Sequence, residues 1–172
     1  GATKSLSQNF SCHVMLSGAK HLNSPVLQLV VFVLDEQQYA LHLSAVERIV
    51  RMVEIMPLPK APEIVLGVIN VQGRIIPVVN IRRRFRLPER EMNLSDQLII
   101  AHTAKRSVAL VADTVSGVME RSEQEVIAAE EILPRMEYVE GVVKLEDGMI
   151  LIHDLDKFLS LEEEKALDEA MS

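Results

Sequence analysis

The sequence predicts an all-β protein made of two small, similar barrels. Of the 172 residues 48% are apolar, yet aromatics supply only 3% and tryptophan is absent. The core must therefore come from Val, Ile, Leu and Met, and β-branched side chains fit a pleated surface better than a helix. Short apolar runs broken by polar or glycine-bearing turns recur along the chain, and one strand-turn-strand unit occurs twice. The length fits one domain, or two small lobes sharing an interface, and it buries enough core to need no covalent staple.

The elements follow in order. The stretch 1–25 is expected to be a flexible tail and is set aside. Val26 to Leu34 is a nearly unbroken β-favouring run, and the polar Asp35-Glu36-Gln37-Gln38 turns the chain back into Tyr39 to Leu43. Ser44 with Glu47 reads as a capping box, so Ser44 to Arg48 is expected to make a helical turn before Ile49 to Glu54 extends. Pro57, Pro59 and Pro62 make the next stretch an ordered loop, since proline lacks the donor a central strand needs. Leu66 to Val71 and Arg74 to Val79 flank Gln72-Gly73, a tight hairpin signal, with Pro77 expected at a strand edge or bulge. Gln97 to Thr103 and Ser107 to Ala112 form another hairpin, and Thr114 to Glu120 continues extended with Gly117 as a candidate bulge. Ser122 to Tyr138 reads mostly as loop despite a Ser122/Glu125 cap. A last hairpin spans Val139 to His153, and the Ser160/Glu163 capping box starts a helix over Leu161 to Met171.

The repeat compares Gly67 to Phe85 with Gly141 to Phe158: glycine, strand, glycine turn, strand, an Asn80 or Asp154 cap, a short helix and a phenylalanine. Two copies of short antiparallel strands imply two barrels rather than a solenoid. The first is expected over about 45–90 and the second over about 97–159, with 26–43 completing one of them.

The search for chemistry mostly comes back empty. No GxSxG, HExxH, Walker or GxGxxG motif is present. The five histidines lie singly, without the short repeated spacing zinc favours, so no metal or other cofactor is expected. Cys12 has no cysteine partner and no adjoining cation, and it receives no role. The net charge of −7 opposes nucleic acid and anionic membrane. Arg82, Arg83, Arg84, Arg86 and Arg90 cluster against that trend, but single-strand binders also need aromatic platforms, which two Tyr and four Phe hardly supply. A solvated helix face is the plainer reading of those arginines. No run is long enough to span a bilayer and no signal-peptide pattern opens the chain, so a cytoplasmic location is expected. Of the apolar richness left without a catalytic site, part fills two small cores and part is expected as exposed patches that mark interfaces.

The segment Gly67-Val-Ile-Asn-Val-Gln-Gly-Arg-Ile-Ile-Pro-Val-Val-Asn-Ile-Arg-Arg-Arg-Phe85 resembles the signature of the CheW family of chemotaxis adaptors, and the order of strands and turns around it agrees from Val26 to Leu159. The resemblance implies two five-stranded SH3-like barrels and no catalytic activity. It also implies coupling of transmembrane chemoreceptors to the histidine kinase CheA by a stand-alone adaptor. Receptor tips would dock in the groove between barrels, where the motif places Val46, Arg48, Gly67 and Gln72. CheA's own CheW-like domain would dock on barrel ends; Ile127 and Ile132 fall in a region associated with kinase contact, the alternative being that both tuck into the barrel as core. The family commonly carries Glu where this chain has Arg48, and Arg where it has Gln72, so the charge on the receptor side departs from the pattern.

Overall fold

The computed structural model describes residues 25–129 and 138–172, so the expectations for the N-terminal tail, Cys12 and Ile132 lie outside the described residues. Strands β1 (Val26–Leu34) and β2 (Gln37–His42) form the first hairpin, and a 3-10 turn at Leu43–Ala45 leads into β3 (Val46–Arg51). β4 (Val65–Val71) and β5 (Arg74–Val79) are joined by Gln72 and Gly73 at φ 52° and 86°. Two positive φ values match the turn to the twist of its strands. The helical turn α1 (Ile81–Arg84) follows. Then come β6 (Gln97–His102), β7 (Ser107–Ala112), β8 (Thr114–Ser122), β9 (Val126–Ala128), β10 (Val139–Leu145), β11 (Gly148–His153) and helix α2 (Leu161–Met171).

The strands make two sheets, ordered β8-β1-β2-β11-β10-β9 and β3-β6-β7-β5-β4. Both follow one wiring. In each, a hairpin (β1-β2 or β6-β7) sets its second strand parallel to the last strand of another hairpin (β11 of β10-β11, or β5 of β4-β5), and its first strand antiparallel to β8 or β3. The five-stranded sheet rolls until Met56 pairs with Val68 at its open edge, and the edges of the six-stranded sheet, β8 and β9, are linked by a single 3-10 turn at Glu123–Glu125.

This wiring corrects the expected division. The β6-β7 hairpin belongs with β3, β4 and β5, not with the strands that follow it, and β1-β2 completes the other sheet. Each unit thus takes a hairpin from the other half of the chain, which ties the two halves together.

Alternation along the strands explains the unbroken apolar runs. On β1, Leu29 and Val31 face a small interior with Ala40, Val143, Ile150 and Ile152, while Phe32 and Leu34 face a larger cluster. On β6, Leu98 and Ile100 join Ile69, Ile76, Val78 and Ala109 in the second interior, while Ile99 and Ala101 join the larger cluster. That larger cluster draws on both sheets and on Leu167 of α2, so it is the seam between the units. Strands buried on both faces need no polar alternation.

Local expectations meet mixed outcomes. Pro77 pairs with Val68 while β7 joins β5 only from Val78, so the missing donor is not needed there. The β1–β8 register slips between Val31 and Phe32, opposite Gly117 and Val115, which makes the expected bulge. Both the Ser122/Glu125 and Ser160/Glu163 capping boxes form. The Ser44 cap does not: the 3-10 turn has no side-chain cap, and Glu47 turns to other partners. Asp154 caps by accepting from the Asp156 N–H at 3.1 Å, whereas the Asn80 side chain makes no cap bond. The stretch read as loop after Ser122 contains β9, three residues long and held by Gly141 to Val143 of β10.

A binding groove between the two units

The sheets enclose a groove of about 560 Å³. One wall is Val46, Glu47, Arg48 and Ile49 of β3 with Gln97 of β6; the other is Val30 of β1 and Val115 to Val118 of β8, with Leu43 from the turn. Gln97 fixes the walls to each other, because its Oε1 accepts from the Val115 N–H at 2.8 Å. The lining is mostly apolar, and among the described residues Glu47 and Arg48 are its only ionisable members.

The β3–β6 register steps from Val46–Ala101 to Arg48–Ile100, which leaves Glu47 as the extra residue of a bulge. Bulges re-aim side chains. The Glu47 carboxylate accepts from Arg74 Nη1 at 2.9 Å and from Ser107 Oγ at 2.6 Å, and these bonds hold it below the usual carboxylate range. Arg74 also donates to Ser107 Oγ at 2.7 Å, and His102 Nδ1 lies 4.0 Å from Glu47. Arg48 is exposed and makes no hydrogen bond or ion pair among the described residues.

Of the residues expected at the receptor side, the structure brings Val46 and Arg48 together in the groove. Gly67 and Gln72 are not part of its lining. The close approach that Gly67 permits is internal: a Cβ there would stand 2.3 Å from the Met56 carbonyl oxygen, beside the isolated Met56–Val68 bridge at the β4 edge. Its repeat partner Gly141 likewise leaves room for Val126 on β9. Gln72 sits exposed in the hairpin turn. Ile127 lies half-buried in β9 at the edge of its sheet. Val30, Ile49, Gln97 and Val115 to Val118 escaped sequence reading because they come from distant strands, and only strand pairing brings them together.

The arginines are a solvated face only in part: Arg83 and Arg86 are exposed, but Arg82 and Arg90 are engaged within the molecule. Arg82 is buried and pairs with Asp35 and Asp113, both at 2.8 Å. Arg90 chelates Asp96 at 2.7 and 3.0 Å and also pairs with Asp113. This network joins the β1-β2 turn, α1 and the β7-β8 junction. His153 is buried, 1% exposed, neither of its ring nitrogens makes a hydrogen bond among the described residues, and burial pushes its pKa down to about 3. The ring stacks on Phe85 at 4.2 Å and lies against Tyr39, Tyr138 and Phe158. Among the described residues no helix is long and apolar enough to cross a membrane, and no cluster of His, Cys, Asp and Glu could hold a metal.

Two interlocked β units around a preformed, mostly apolar groove define a protein-interaction module. The chain belongs to the CheW-like domain family, whose model matches residues 28–163. It is 30% identical to the chemotaxis protein CheW of Rhizobium meliloti over 88% of this chain and 99% of that one. It is 28% identical to the CheW of Treponema pallidum over 83% of this chain and 87% of that one. The crystal structure of the scaffolding protein TtCheW from Thermoanaerobacter tengcongensis superposes with a TM-score of 0.72 at 30% identity, covering 80% of this chain and 94% of that one.

Proposed function

We propose that this chain is a non-catalytic, cytoplasmic adaptor that couples chemoreceptors to the histidine kinase CheA. The observation that carries the reading is the family match across 28–163 on a fold whose two units jointly build an open groove. An apolar groove with few polar groups suits an amphipathic helix laid along it, so the groove is assigned to the helical receptor tip, with Val46 and Arg48 on its wall. Gly67 and Gln72 belong to the adjoining hairpin and act by shaping the β4-β5 end of the first unit. CheA's CheW-like domain is assigned to the barrel ends. Ile127 on edge strand β9 is placed on the kinase side, and so is Ile132 by its family position. Arg82, Arg83, Arg84 and Arg90 are all engaged with carboxylates of the molecule itself, which weakens the feature that favoured nucleic acid.

Titration calorimetry against a purified receptor tip and against the CheW-like domain of CheA tests the assignment. Two binding isotherms, each unchanged when the other partner is saturating, are expected. Mutual competition would contradict separate faces, and absence of both isotherms would remove the adaptor reading.

A further inference from the structure

Among the groove's lining residues charge is carried by two neighbours, and the structure treats them differently. Glu47 is the bulged residue, and Arg74 and Ser107 engage both of its oxygens on the β5 and β7 side. Arg48 keeps an exposed guanidinium with no partner among the described residues. A carboxylate already bound to a cation presents little field to a ligand, whereas an unpaired guanidinium beside apolar walls presents a planar fork of donors that fits a carboxylate. The local balance is therefore a cation, in a chain whose net charge is −7.

We propose that Arg48 makes the groove select a partner helix bearing a carboxylate opposite it, and that Arg74 and Ser107 are positioning residues that set this preference by withdrawing Glu47. The proposal rests on the receptor-groove reading above and names the chemistry that reading leaves open. Without Arg74, Glu47 would be free to pair with its neighbour Arg48 and cancel the selecting charge. The arrangement predicts a specific pattern of rescue that a merely structural role for Arg74 would not give.

The test is calorimetric titration of the full chain with the purified cytoplasmic tip hairpin of a chemoreceptor from the same cell. Arg48→Glu is expected to weaken binding about tenfold or more, in line with the cost of like charges at an interface, and Arg48→Gln less. Arg74→Gln is expected to weaken binding several-fold, and adding Glu47→Gln to it should restore wild-type affinity. Changing the tip's acidic residues one at a time to Lys should find a position that rescues Arg48→Glu. Melting temperatures of all variants check folding, and if Arg48→Glu fails to fold then Arg48→Gln and the Arg74/Glu47 pair decide. Equal affinity of wild type and the Arg48 variants, or no rescue by Glu47→Gln, overturns the proposal. A wild-type chain that does not bind the tip at all overturns instead the groove reading on which it stands.

Discussion

The interiors of the two units and the seam between them are built differently. Each interior is a small cluster of aliphatic side chains, such as Leu29, Val31 and Ile150 on one side and Ile69, Leu98 and Ile100 on the other. The seam gathers Phe32, Tyr39, Phe85 and Phe158, together with α2's Leu167 and the His153 ring, which stacks on Phe85. Large aromatic burial is therefore concentrated where the units meet. Small cores of this size stabilise little by themselves, so the seam and the exchanged hairpins hold the molecule together. A groove whose walls belong to both units then inherits a fixed shape from the seam beneath it.

The largest expected effect breaks the seam. Phe158→Ala should destabilise by about 3 to 5 kcal/mol, whereas Ile150→Val inside one unit should cost about 0.5 to 1.5 kcal/mol. Guanidinium denaturation followed by far-UV circular dichroism measures both. A single cooperative transition for Phe158→Ala would confirm joint folding, and two separated transitions would show units that stand alone.

The ion network gives the next test. Arg82 is buried beside two partly exposed aspartates, so Arg82→Ala should cost on the order of 2 kcal/mol, below the 3 to 5 kcal/mol of a fully buried pair. Arg83 is exposed and paired with Glu63 and Glu89, and Arg83→Ala should cost less than about 1 kcal/mol. Similar losses for both would mean that the network does not join the units.

His153 supplies the pH dependence. Its pKa falls from 6.5 to about 3 on folding, so the unfolded chain takes up the proton first as pH drops. Stability from the neutral ring is complete above about pH 6.5 and is lost toward pH 3, at about 1.4 kcal/mol per pH unit. His153→Leu should reduce the difference in stability between pH 5 and pH 8 by about 2 kcal/mol relative to wild type. An unchanged difference would mean that the ring is protonated in the folded state.

What the sequence made legible was local. The Gln72-Gly73 turn, the Ser160 and Ser122 caps and the apolar strand runs depend on neighbours a few residues apart, and each is visible in the chain. The assignment of β6-β7 was not, because its partners β3 and β5 are chosen by strand pairing between segments distant in sequence, whereas β8 follows β7 directly along the chain. Arg82 looked solvated because Asp35 and Asp113 are far away in sequence. The burial of His153 had a signal: the repeat sets it level with Val79, a fully apolar position of the other unit. For the candidate site, Val46 and Arg48 were found through the family motif, and the opposite wall on β1 and β8 waited on the fold.

The central claim is that one rigid body with two faces joins a receptor to a kinase. Co-sedimentation of CheA with membranes carrying the native chemoreceptor, with and without this chain, tests it most directly. The account predicts that CheA pellets with receptor membranes when the chain is present and stays largely in the supernatant when it is absent. Equal CheA in the pellet under both conditions would contradict it.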